Sequence, residues 1–428
     1  MSSIIEICIP IYILYTFFYG IIVKFTINNN ILFALKTIIP ELLLTTIAVC
    51  GLLMIKNKPK IRNKYTLILC VYTILIFFIN LFTKPELVAV FYVIRDIMIP
   101  VTVFCILTQA GITDESKSKI IDRIGKIFII FVVLGFILSL IQSINGWEWS
   151  SKFYTGYSFY GTDPVSKIKI WEHGKLLRTP SVTGNSAIFG VYCLVSLIFI
   201  LKTDIKYKTI LIGLNMGSLF LSTSKTPLLI ALFILLIDII SKYPKETRKK
   251  IYIVSLIVGT ILVLLIIFIK PSLLFSLKER VRFWSQLNEK AGILNLIIPL
   301  KLFGITSAAE GVLSFMDNTY LYFMYATGII GLVLMVLAIL SFDKSTKNSN
   351  IIKYMMISFL IMSFFTNITQ GRSYFTTYIV LMPILYSENG LKFGNKIDER
   401  RSINESLLYN FRNCIFWCRD SIRKISEK

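Results

Sequence analysis

The chain has 428 residues, 55% of them hydrophobic and only 16% charged, and its mean hydropathy is +0.72. Soluble domains carry about 25% charged residues. The composition therefore excludes a soluble enzyme, a disordered chain and a secreted disulfide scaffold, and leaves an integral membrane protein. A formal net charge of +22 would point to nucleic acid in a soluble chain. Here the placement of the cations matters more, and no nucleic-acid partner is expected.

A spanning helix takes roughly 20 apolar residues. In chain order the apolar runs predict twelve, at 4–23, 32–55, 65–82, 87–108, 124–144, 186–201, 207–223, 225–240, 251–269, 318–341, 352–368 and 373–387. They divide the chain into helices one to five (1–144), a first long outer loop (145–185), helices six to nine (186–269), a second long outer loop (270–317), helices ten to twelve (318–387) and a basic tail (388–428). The start, MSSIIEICIP, has no basic region ahead of its apolar run. It is expected to be a retained helix and not a cleaved leader.

Alternate loops carry most of the Lys and Arg: KNKPKIRNK (56–64), KSKIIDRIGK (117–126), KTDIKYK (202–208), KYPKETRKK (242–250), KSTKNSNIIK (344–353) and the tail. Basic loops stay in the cytoplasm, so both termini are expected inside. Five of the seven cysteines fall in apolar runs and two, Cys414 and Cys418, in the tail. No disulfide is expected, and one Cys pair without a neighbouring His is not a zinc site.

The two long outer loops are where function is expected. The first is aromatic, with Trp147, Trp149, Phe153, Tyr154, Tyr157, Phe159, Tyr160 and Trp171. These read either as an interfacial belt or as stacking platforms for sugar rings. In the second, Leu273, Leu277, Val281 and Trp284 share one helical face, which predicts an amphipathic helix on the outer membrane surface. Leu408, Phe411, Ile415, Cys418 and Ile422 repeat that pattern in the tail.

Cations outnumber acids in both outer loops, against the orientation bias, and an anionic ligand would account for that. Arg178, in LLRTPSVTGNSAIFGVY, reads as a snorkelling interfacial residue or as a phosphate contact at a helix mouth. Lys225, in FLSTSKTPLLIALF, reads as a turn lysine or as part of an anion site at a helix N-terminus, with Pro227 suited to the first turn. Arg95 lies inside its span, where an ionisable group is a functional candidate or a structural ion pair. Asp96, one residue on, is not its expected partner, because adjacent side chains on a helix do not face each other. Asp317 and Asn318 open a span; Asp317 reads as an N-cap or as a general base at the membrane surface. Glu310 is the reserve acid, and His173, the single histidine, reads as a solvated loop residue. No Walker A loop, GxGxxG, HExxH, GxSxG or DxD pattern occurs, so neither a nucleotide nor a metal is expected.

Four segments, in order, resemble the O-antigen polymerase/ligase superfamily of bacterial polysaccharide assembly. LRTPSVTGNSAIFG (177–190) is similar to its Arg-led motif before a span. STSKTPLLIAL (222–232) is similar to its hydroxyl-rich turn, with Lys225 where Arg is usual. ERVRFW (279–284) resembles the Arg and Trp of its large loop. LFGITSAAEG and FMDNTYLYFMYATGIIGLV resemble its closing motif. The resemblance implies an all-α, GT-C-like membrane protein of the bacterial cytoplasmic membrane, working on the extracytoplasmic face without cofactor or metal. The implied donor is glycan on undecaprenyl diphosphate. The implied partners are that lipid-linked oligosaccharide, membrane lipid, and a flippase and chain-length regulator of the same pathway. Arg178, Lys225 and Arg280 or Arg282 would stabilise the leaving diphosphate, with Arg372, Arg95 and Asn318 as further contacts, and Asp317 would handle the acceptor hydroxyl. Asp317 stands where ligases carry His, which favours a repeat-unit polymerase; a ligase and a lipid-linked oligosaccharide flippase are the alternatives.

Overall fold

The computed structural model describes residues 1–26, 29–57, 62–82, 90, 93–153, 172–173, 176–203, 205–244, 246–248, 251, 281–282, 285, 297, 299, 318–343, 350–365 and 373–386. The chain divides into two compact units, Met1–Gly390 and Leu391–Lys428. The second unit, which holds most of the expected basic tail, lies outside the described residues, as do nearly all of the ninth expected span, about half of the first long loop and most of the second.

The first expected span is two helices. α1 (Ser2–Phe17) and α2 (Tyr19–Thr26) meet at an angle of 75°. The turn lets Gly20 press on the backbone of residues 183 and 184. A Cβ on Gly20 would lie 2.3 Å from the Gly184 nitrogen, so only glycine fits there. α3 (Asn30–Asn57) and α4 (Lys64–Leu81) follow the apolar pattern. Asn63 caps α4, accepting from the amides of Tyr65 and Thr66, as Asn does well at this position.

A π-helical turn, Ile94–Met98, leads into α5 (Ile99–Gln109), with Pro100 in the first turn. α6 (Asp114–Phe153) breaks at Gly146, whose φ is +71°. It starts ten residues before the expected span, so KSKIIDRIGK is helix and not loop. Asp114 and Glu115 in its first turn complement the helix dipole. Glu115–Lys119 and Asp122–Lys126 are ion pairs at i,i+4 spacing.

In the first long loop, β1 (Glu172–His173) pairs antiparallel with β2 (Leu176–Leu177). This small hairpin departs from the all-helical expectation and places His173 on a strand. A 3-10 turn, Ser181–Thr183, precedes α7 (Ser186–Lys202). α8 (Lys208–Leu221), α9 (Lys225–Ile240), α10 (Thr319–Leu340), α11 (Asn350–Phe365) and α12 (Ser373–Leu385) complete the described helices. α10 carries a break at Gly328, φ +74°.

α7 is the hub. Every residue from Phe189 to Leu201 is buried, as expected of a helix that is apolar all round. Phe17 stacks on Tyr192 at 4.1 Å between ring centroids and meets Phe131 edge-on at 4.8 Å. Phe128 packs edge-on against Phe199 at 5.0 Å. At the other extreme, Ile7, Leu52, Val71, Ile130, Leu229 and Val333 are exposed. Apolar residues spread over that much outer surface suit lipid and not water.

Among the described residues, four helical segments are long and apolar enough to cross a membrane: Ile38–Lys56, Lys64–Leu81, Asp114–Gly146 and Thr319–Leu340. The bent pair α1 and α2 makes a fifth if it counts as one span. The chain is thus a helical membrane protein. The apolar helices Ser186–Lys202 and Lys208–Leu221 rise about 26 and 21 Å at roughly 1.5 Å per residue, short of a hydrocarbon core about 30 Å thick. Twelve spans and a GT-C arrangement go beyond this count.

Candidate functional site

The structure brings two of the expected anion-binding segments together. The Thr179 amide, next to Arg178, donates to the Leu221 carbonyl at 3.3 Å, where α8 ends ahead of the Lys225 turn. The Ser224 hydroxyl donates to the Ser186 carbonyl at 2.8 Å. A Cβ on Gly190 would lie 2.6 Å from that of Ser224, so the α7 and α9 backbones approach closely there. α6 fixes the other side. The Ser181 amide donates to Gln142 Oε1 at 2.9 Å, and the Ser181 hydroxyl to the Gly135 carbonyl at 2.7 Å.

The local backbone is strained where the cations sit. Ser181 and Thr223 adopt positive φ, +47° and +49°, which non-glycine residues rarely do and which clusters at functional sites. Asn185 caps α7, accepting from the amides of Ala187 and Ile188. α9 is different. Ser224 occupies its cap position, yet its hydroxyl goes to Ser186, and no side chain caps the first turn. Lys225 is exposed at the first position of that turn, and Arg178 is half-buried. The hydroxyls of Thr179 and Thr223, beside the two cations, are buried without a hydrogen-bond partner among the described residues. An uncapped helix start, two cations and two unmatched hydroxyls thus lie on segments joined by hydrogen bonds, a set of groups suited to an anion with several oxygens.

A second group lies at the α4–α10 side. Arg95 and Asp96 do pair, contrary to the expectation from helix spacing: Nε to Oδ1 is 2.6 Å and Nη2 to Oδ2 is 3.0 Å. The segment is a π-helical turn, not an α-helix, and the long Arg stem folds back within it. Asp96 is 2% exposed. The Tyr322 hydroxyl donates to Asp96 Oδ2 as well, at 3.4 Å. Tyr322 is one turn beyond Asn318, which caps α10 by accepting from the Leu321 amide at 3.1 Å. The cap is therefore Asn318, not Asp317, because the helix begins at Thr319. Capping no longer accounts for an acid at position 317.

Asp317, Arg280, Arg372 and Glu310 lie outside the described residues. Of the second loop's expected amphipathic helix, Val281, Arg282 and Ser285 are described; all three are helical and exposed. Sequence reasoning missed Lys24. Its ammonium sits over the Phe153 ring, 3.2 Å from the centroid, and Trp149 stacks on that ring at 5.2 Å. The signal was a single Lys interrupting an otherwise apolar run before three asparagines. Among the described residues, no group of three His, Cys, Asp or Glu side chains is placed to hold a metal ion.

The chain matches no family model, no curated protein and no solved structure.

Proposed function

We propose that this protein is a polysaccharide repeat-unit polymerase of the bacterial cytoplasmic membrane, GT-C-like, with twelve spans and its active site on the outer face. One observation carries the reading: the Arg178 segment and the Lys225 turn, 47 positions apart by number, are joined by hydrogen bonds near the end of α8. In the reaction, a sugar hydroxyl of one lipid-linked repeat unit attacks the anomeric carbon of the growing glycan. The bond from that carbon to the diphosphate oxygen breaks, and its electron pair leaves on undecaprenyl diphosphate. The hydroxyl proton passes to the Asp317 carboxylate. Fixed cations at the leaving oxygen stabilise charge that exists only as the bond breaks. Arg178 and Lys225 take that role, joined from the second loop by Arg280 or Arg282. Arg372, Arg95 and Asn318 are the further substrate contacts. No metal is required, since the cations supply the counter-charge.

The test uses purified full-length protein and an undecaprenyl-diphosphate repeat unit from the host's own pathway, without nucleotide or added metal. A ladder of products is expected. Removing a donor to a developing charge costs about 10²–10³ in rate, so Arg178→Ala is expected to abolish the ladder within the assay time. Asp317→Asn is expected to do the same. A ladder untouched by both variants refutes the assigned roles. If no ladder forms until a core-type acceptor is added, the protein is the ligase. If neither acceptor gives a glycosidic bond, the flippase reading takes over, and the ion pair inside the Ile94–Met98 turn becomes its leading feature.

A further inference from the structure

The opposite, basic face holds a pocket that this reaction does not use. Arg62, Thr108, Gly111, Lys117 and Tyr386 line it together with apolar side chains such as Phe342, and no acidic residue is among its lining. It lies far from the candidate anion site described above. Gln142, which holds Ser181, is 25 residues along α6 from Lys117, about 37 Å at roughly 1.5 Å per residue.

Hydrogen bonds fix the backbone at Arg62 and the ammonium of Lys117, while the Arg62 side chain is exposed. The Arg62 amide donates to Gln109 Oε1 at 2.8 Å, and Gln109 Nε2 donates to the Asn63 carbonyl at 2.7 Å and to the Thr66 hydroxyl at 3.2 Å. This ties the start of α4 to the end of α5. The Arg62 guanidinium then lies against Gly111, where φ is +64° and a Cβ would come within 2.7 Å of Nη2. Any larger residue at 111 would displace it. Lys117 is 6% exposed, and its ammonium donates to the Tyr386 carbonyl beyond the end of α12. The exposed Arg62 guanidinium and the buried Lys117 ammonium border one small space. Phosphate oxygens match that donor set, and the charge bias that orients the chain puts this face against anionic lipid.

We propose that this pocket is a phosphate site on the basic face, taking either the phosphodiester headgroup of an anionic lipid or a soluble phosphate ester. It is independent of the polymerase reading. The test is native mass spectrometry on full-length protein released from neutral detergent, with phosphatidylglycerol or phosphatidylcholine as probe. Inorganic phosphate is titrated separately against the unfolding temperature. Wild type is expected to retain phosphatidylglycerol over phosphatidylcholine, and Arg62→Gln to lower that retention about fivefold, the worth of one cation at a lipid surface. Gly111→Ala is expected to weaken it too, by moving the guanidinium. Lys126→Gln, which removes one cation of the same face that is outside the pocket lining and paired with Asp122, is expected to change nothing. If inorganic phosphate stabilises wild type but not Arg62→Gln, and lipid retention shows no preference, the site stands and its source is soluble. Equal retention in wild type and Arg62→Gln without phosphate stabilisation overturns the proposal. Equal losses in Arg62→Gln and Lys126→Gln also overturn it, since they would reflect diffuse charge.

Discussion

Gly20 shows how much one hydrogen atom can decide. Its Cα touches the backbone of the segment that carries Arg178, and a methyl group there would meet main-chain atoms, not the yielding end of a side chain. Overpacking of this kind costs about 1–3 kcal/mol. Gly20→Ala is therefore expected to lower the unfolding temperature in detergent and, by pushing on residues 183 and 184, to reduce the proposed polymerase activity. Gly213→Ala is the control, because a Cβ there meets nothing within 4 Å. The two variants giving equal losses would remove the argument. Ser224 is a second such residue. Its hydroxyl holds α9 to α7 and so leaves the α9 first turn uncapped. Ser224→Ala loses a hydrogen bond whose net worth is about 1 kcal/mol. A small drop in unfolding temperature is expected, with a larger loss of activity if that turn binds the diphosphate.

At the level of elements, the helices were largely legible and their interruptions were not. α4, α7 and α9 follow the apolar runs closely, because hydropathy reports directly which residues prefer lipid or core. The bend between α1 and α2 escaped detection because nothing in the apolar run marks it, and the contact it permits is with residues some 160 positions away. The early start of α6 was hidden because its first turns are charged, and charge reads as loop unless the i,i+4 pairing is weighed. The Arg95–Asp96 pair was missed because an α-helical period was assumed where the backbone makes a π turn. For the candidate site, the turns at Arg178 and Lys225 were legible, whereas the cap expected at Asp317 falls on Asn318. That the two turns meet was not legible, since it depends on the end of α8 reaching Thr179. The π turn yields its own prediction. Breaking a buried ion pair by removing one partner costs about 3–5 kcal/mol, and Arg95 is one-fifth exposed, so Asp96→Asn is expected near the lower end of that range. Arg95→Gln with Asp96→Asn is expected to recover part of the loss, read as unfolding temperature. No recovery would mean that the pair contributes nothing as a pair.

For the molecule as a whole, orientation is the statement most open to direct test. Ser143 and Lys206 are both exposed and lie at opposite ends of the bundle's long axis by chain order. In a background lacking reactive native thiols, Ser143→Cys is expected to react with a membrane-impermeant maleimide on intact cells. Lys206→Cys is expected to react only after lysis. The reverse pattern would place the basic loops outside and, with them, overturn the outer-face site.

The buried state of α7 bears on how the protein meets membranes of different thickness. A helix in contact with acyl chains is gauged against them, and each ångström of mismatch has a cost. From Phe189 to Leu201, α7 meets protein on every side, so its modest length is never gauged in that way. Reconstitution into bilayers of shorter or longer acyl chains will tilt and strain the outer helices first. The register between α7 and the segments hydrogen-bonded to its start will hold, and the proposed anion site with it.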